Sequence, residues 1–161
     1  MVLAVIYGLA LIVVGVAQTT IAPRVSIRGA EPELALALVA CIGLARGPAA
    51  GCAAGLLSAL VVGSLEGQGL GGLLLRDMAA GVACGAFRRQ FFAERLTVAV
   101  GLALLVVFIG EGLARAFSDG MGFPAWLSAT SISAVYSAAF AIPIYALVRW
   151  VSRRFPRQEE A

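Results

Sequence analysis

The sequence predicts an all-α integral membrane fold of six transmembrane helices. Three observations predict it. Of 161 residues, 61% are apolar and 13% charged, and mean hydropathy is +0.96. Soluble domains carry about 45–50% apolar and about 25% charged residues, so a soluble core of this size would leave apolar surface in water. The apolar residues also fall in long stretches, broken by Gly, Pro and charged clusters. At ~20 residues per crossing, the length holds five or six spans and leaves no room for a soluble domain. A disordered chain, a collagen-like chain and an ordinary soluble enzyme are excluded.

The first apolar stretch, Val2 to Thr20, covers ~28 Å as a helix, enough for one crossing. Gly15-Val16-Ala17 before Gln18 resembles a cleavage site, but no arginine precedes the run, so an uncleaved span is expected. Pro23 ends the helix. A polar segment with cancelling charges follows, from Arg24 to Glu33. Leu34 to Ala45 and Ala49 to Leu65 are apolar, with Arg46-Gly47-Pro48 between them. One kinked helix over both would reach ~48 Å, against a hydrocarbon layer of ~30 Å. It would also bury Arg46 in lipid, at about 2.5–3.5 kcal/mol. A tight helical hairpin is therefore expected, its first arm too short to cross at full thickness.

Glu66 to Gly69 reads as a turn, and Leu70 to Phe87 as the fourth span, containing Arg76 and Asp77. A basic connection, Arg88 to Arg95, leads to the fifth span, Leu96 to Phe117, which contains Glu111 and Arg115. After a short loop, Ser118 to Gly122, Pro124 suits the first turn of a sixth helix running to about Val148. Residues 1–148 are thus expected to form one membrane domain, and 149–161 a solvated cytoplasmic tail.

The chain has no histidine, lysine or asparagine, and arginine carries all the positive side-chain charge. Six spans place Arg46, Arg88, Arg89, Arg95, Arg149, Arg153, Arg154 and Arg157 on one side, and Arg24 and Arg28 opposite. The positive-inside rule makes the richer side cytoplasmic, with both termini. A five-span arrangement with the N-terminus outside also satisfies the rule, so span length and Arg46 decide. A net charge of +3 does not suggest a nucleic-acid partner.

Gly47, Gly51 and Gly55, continued by Ala59 and Gly63, stack on one helical face and let another backbone approach. Gly81 and Gly85 repeat the device. Such a face serves either packing within the chain or docking of a partner helix. Gln18, Arg76, Asp77, Glu111 and Arg115 are polar residues within apolar spans, where they form a structural network or a functional interior. Glu111 and Arg115, four apart, can pair locally. Arg76 and Asp77 are adjacent and are expected to point apart, pairing across helices with Glu111 and Arg115. Trp126, Tyr145, Trp150 and Phe155 are read as interfacial anchors. Cys41, Cys52 and Cys84 form no C-x-x-C and read as packing residues. Ser131, Ser133 and Ser137 have no nearby base and read as helix-packing residues. No catalytic residues, metal ligands or cofactor motif are identified.

In order, the motifs resemble the bacterial rod shape-determining MreD family. Gln18-Thr19-Thr20, Pro23, Ser26 and Gly29 begin the resemblance, and Pro32-Glu33-Leu34 stands where the family commonly has Pro-Asp-Leu. Arg46-Gly47-Pro48 with Gly51 and Gly55 is similar to the family's tight turn and glycine-rich third span. Gly67, Leu70 and Gly71 resemble the stretch that follows, and Pro143, Tyr145 and the arginine-rich tail resemble the last span. An acidic position of the family falls at Gly63 here, and a proline and an asparagine fall at Gly69 and Leu73.

The resemblance implies a non-enzymatic inner-membrane scaffold of the cell-wall elongation complex. Its implied partner is MreC, with RodA, a penicillin-binding transpeptidase and MreB as further associates. Apart from the resemblance, Arg88, Arg89 and the tail arginines serve as topology determinants or as contacts for anionic membrane lipid or a filament. The resemblance also implies a fold similar to the substrate-binding subunits of energy-coupling-factor vitamin transporters, and so a second reading as a small-molecule-binding subunit. The expected partner-binding residues are Gly47, Gly51 and Gly55 with Pro23, Pro32 and Glu33 of the first periplasmic segment.

Overall fold

A computed structural model describes residues 2–26, 31–67, 70–87, 101–102, 104–110 and 123–154. Among these residues the regular structure is helical. Helix α1 (Val2–Ile21) runs into a short 3-10 turn (Ala22–Val25), and α2 (Leu34–Arg46) and α3 (Pro48–Glu66) follow. Then come α4 (Leu70–Phe87), the helical residues 104–110, here α5, and α6 (Phe123–Arg154). Among the described residues, four helical stretches are long and apolar enough to cross a membrane: Val5–Val25, Pro48–Glu66, Leu70–Phe87 and Thr130–Val151. Helix α2 is apolar but shorter, as the sequence indicates.

The expected hairpin is present. Gly47 adopts φ 97° and ψ 177°, a conformation that side-chain-bearing residues avoid, and its N–H donates to the Gly43 carbonyl at 2.7 Å. Pro48 then opens α3 at a position where its missing N–H costs nothing. The chain folds back so closely that a Cβ on Gly51 would lie 2.9 Å from the Gly43 Cα.

Close approaches give the helix directions. Gly55 faces the backbone of Asp77, Gly51 that of Gly81, and Gly85 that of Pro48, so α3 and α4 run antiparallel. Gly8 meets Leu57 and Gly15 meets Val61, so α1 runs parallel to α3. Ser133 and Ser137 meet Glu31 and Glu33, which makes α6 parallel to α2. Gly110 of α5 lies against Arg76 and Leu36. One end of the bundle therefore collects Arg46, Phe87 and Arg149 to Arg154. The other collects Gln18, Glu33, Glu66 and Leu70.

Helix α2 is the axis of this arrangement. Every residue from Ala35 to Leu44 is buried. A helix that is apolar all round must be enclosed, and α1, α3, α4 and α6 all contact it. Cys41 and Cys84 lie in the apolar cluster about it, with Leu11, Ile42 and Leu44, as packing residues. Tyr145 is buried in the same cluster, which corrects the expectation of an interfacial anchor. Apolar side chains instead face outward: Val5, Leu9, Ile12, Val13 and Val16 form an exposed stripe on α1 at helical spacing.

Candidate functional site

Four polar side chains from α1, α3 and α4 converge near the start of α2. Arg76 Nε donates to Asp77 Oδ1 at 3.0 Å, and Arg76 Nη2 reaches Glu33 Oε2 at 3.3 Å. Ser58 on α3 donates its hydroxyl to the other Asp77 oxygen at 2.8 Å. Gln18 on α1 donates Nε2 to Glu33 Oε2 at 3.2 Å. Asp77 and Ser58 are each 1% exposed, so these bonds replace water entirely.

The pairing of Arg76 with Asp77 corrects the expectation that neighbours in sequence point apart. Backbone directions do diverge, but the long arginine side chain curls back so that its Nε, near the stem, meets the carboxylate. The guanidinium end reaches on to Glu33. One cation thus bridges two carboxylates from different segments. Glu111 and Arg115, the expected cross-helix partners, lie outside the described residues.

The same cluster caps α2. Glu33 precedes the helix with no side-chain cap of its own. The first turn of any helix leaves N–H groups without partners. Here the Ala35 N–H donates to Gln18 Oε1 at 2.8 Å, and the Glu33 N–H donates to Ser137 Oγ on α6 at 2.8 Å. Ser133 Oγ donates to the Glu31 carbonyl at 2.7 Å. Ser133 and Ser137 are thus more than packing residues. They fasten a non-helical strip, Glu31 to Glu33, to the side of α6. Thr130 continues their row and is buried, its hydroxyl without a hydrogen-bond partner.

The depth of this cluster is consistent from helix to helix. Gln18 lies about two turns, or ~10 Å, inside the Val25 end of its span. Asp77 lies the same distance from Leu70, Ser58 slightly further from Glu66, and Ser137 the same from Thr130. The cluster is therefore a layer ~10 Å in from one end of these four apolar stretches. Helix α2 starts at that layer, and its 13 residues cover the remaining ~20 Å of a ~30 Å hydrocarbon layer. Backbone without helical bonds is tolerated at such depth only where protein encloses it, and the caps on Glu31, Glu33 and Ala35 meet that requirement.

The expected partner-binding residues fare unequally. The Gly51–Gly55 face is filled by α4: a side chain on either glycine would run into the α4 backbone, at Gly81 or at Asp77. Gly81 and Gly85 supply the matching face, so the two glycine rows meet each other. Gly47 serves the hairpin turn. Pro32 is fully buried and Glu33 turns its carboxylate inward, so both position the segment and neither presents a contact surface. Pro23, Arg24 and Val25 are exposed. Sequence reasoning missed Ser58, Ser133 and Ser137 as members of the site. Short hydroxyl side chains are common on packed helix faces, and their sequence positions carry no mark of a distant partner.

No protein-family model, no curated protein and no solved structure matches this chain.

Proposed function

We propose that the chain is a non-enzymatic scaffold subunit of the bacterial cell-wall elongation complex in the inner membrane. It crosses six times with both termini cytoplasmic, and it holds MreC through the segment between α1 and α2. The observation that carries this reading is the use of the interior polar side chains. Arg76, Asp77, Glu33, Gln18 and Ser58 are committed to one another and to the cap of α2. They lock the inner part of that segment against α1, α4 and α6 and leave Pro23, Arg24 and Val25 outward as a fixed edge. A preorganised edge binds with less ordering cost than a loose loop. The sequence resemblance supplies the partner's identity. The gathering of Arg46, Arg149 and Arg154 at the opposite end supports the orientation.

The test is affinity purification of the tagged full chain from native membranes in mild detergent. Recovery of MreC, alone or with RodA, a penicillin-binding transpeptidase or MreB, is the expected result. Exchange of Pro23, Arg24 and Val25 for Ser should reduce that recovery while the chain stays folded. Recovery of an ATPase module and a bound vitamin, without elongation proteins, would overturn the proposal in favour of a transporter subunit.

A further inference from the structure

We infer that the outer face of α6 binds one anionic phospholipid, its phosphate on Arg154 and an acyl chain along Phe140, Pro143, Leu147 and Trp150. These five residues recur at three- and four-residue spacing, and all are exposed on one side of the helix. Leu147 and Trp150 are 60% and 58% exposed. The face therefore grades from wholly apolar, at Phe140, Pro143 and Leu147, to the amphipathic indole of Trp150 and then to a cation, in the direction that a lipid grades from chain to glycerol to phosphate.

Arg154 stands just past Val151, where the apolar window of α6 closes. Side chains on a helix lean toward its N-terminus, so at this end they lean back toward the apolar window. Arg154 does so: its guanidinium carbon lies 5.4 Å from the centre of the Trp150 ring. This cation–π contact holds the guanidinium beside the ring and leaves N–H groups to bind a phosphate oxygen. Indole rings favour the headgroup level, which places the cation at phosphate depth. Among the described residues the charge at this end is one-sided. Arg46, Arg149 and Arg154 gather here, whereas Glu31, Glu33, Glu66 and Asp77, the described acids, belong to the other end or to the interior layer. An anionic lipid complements that imbalance better than a zwitterionic one.

The full chain has two tryptophans, so Trp126→Phe leaves Trp150 as the sole reporter. This variant is reconstituted in phosphatidylethanolamine vesicles containing a minor fraction of dibrominated phosphatidylglycerol or, separately, dibrominated phosphatidylethanolamine. Bromine quenches indole on contact. The expected result is an apparent preference of about fivefold for the brominated anionic lipid. Adding Arg154→Gln should equalise the two lipids, and inorganic phosphate at matched ionic strength should leave the preference intact. Equal quenching before the Arg154 change, or a preference that survives it, overturns the inference. Loss of the preference on adding phosphate overturns the lipid assignment and makes the site one for free phosphate.

Discussion

Ser137 Oγ accepts the backbone N–H of Glu33 at 2.8 Å, across a separation of 104 residues. This single bond caps an interior helix with a side chain from α6. It joins the polar layer to α6, which contributes no charged member to that layer among the described residues.

Ser137→Ala should leave the Glu33 N–H without its partner at a part-buried position. The expected loss is about 1–3 kcal/mol of unfolding free energy, read by SDS titration of the purified chain. Ser64→Ala is the control. Ser64 is exposed and bonds the Val61 carbonyl in its own helix at 2.9 Å, so its loss should stay within about 0.5 kcal/mol.

Gln18→Leu removes two bonds at once, one to the Ala35 N–H and one to Glu33. Its destabilisation should exceed that of Ser137→Ala, and hydrogen exchange in the first turn of α2 should accelerate. Unchanged exchange at Ala35 would refute the capping role.

Arg76→Gln leaves the Asp77 and Glu33 carboxylates without their shared cation. Breaking a buried pair by removing one partner costs about 3–5 kcal/mol. Asp77→Asn combined with Arg76→Gln should be milder than the sum of the two single changes, measured by thermal unfolding in detergent. Strict additivity would show that the two side chains do not act together.

Gly55→Leu and Gly71→Ala should act oppositely. A side chain at Gly55 meets the Asp77 backbone and must push α3 from α4, whereas nothing lies within 4 Å of one at Gly71. Gly55→Leu should cost more than about 3 kcal/mol or abolish folding. Gly71→Ala should be neutral or gain up to about 1 kcal/mol from helix propensity. Gly47→Ala should cost about 1–3 kcal/mol through its φ of 97° alone.

Much of the backbone was legible in the sequence. Arg46-Gly47-Pro48 marks the hairpin because a charge, a flexible residue and a residue without an N–H all disfavour continued helix in lipid. The glycine rows announced close helix contact, because spacing of four fixes a face. Their mutual pairing was not legible, since a row names its own face and leaves the opposing one open. The polar site was only half legible. Polar and charged residues stand out against an apolar background, so Gln18, Arg76 and Asp77 are legible. The geometry of a long flexible side chain is not set by neighbouring backbone directions, so the Arg76–Asp77 bond was missed. Pro32 illustrates the converse. A proline before a helix reads as surface punctuation, yet here it is sealed inside by the caps on either side of it.

The enclosure of α2 has a consequence for biosynthesis. It follows α1 out of the ribosome, but its remaining walls arrive only as α3, α4 and finally α6 are made. With a 13-residue apolar stretch and a start that still lacks the Ser137 part of its cap, it cannot settle in lipid by itself. It must wait beside the translocon or a chaperone until Ser137 emerges, so truncation of the chain before α6 should strand a nascent product that quality-control proteases recognise.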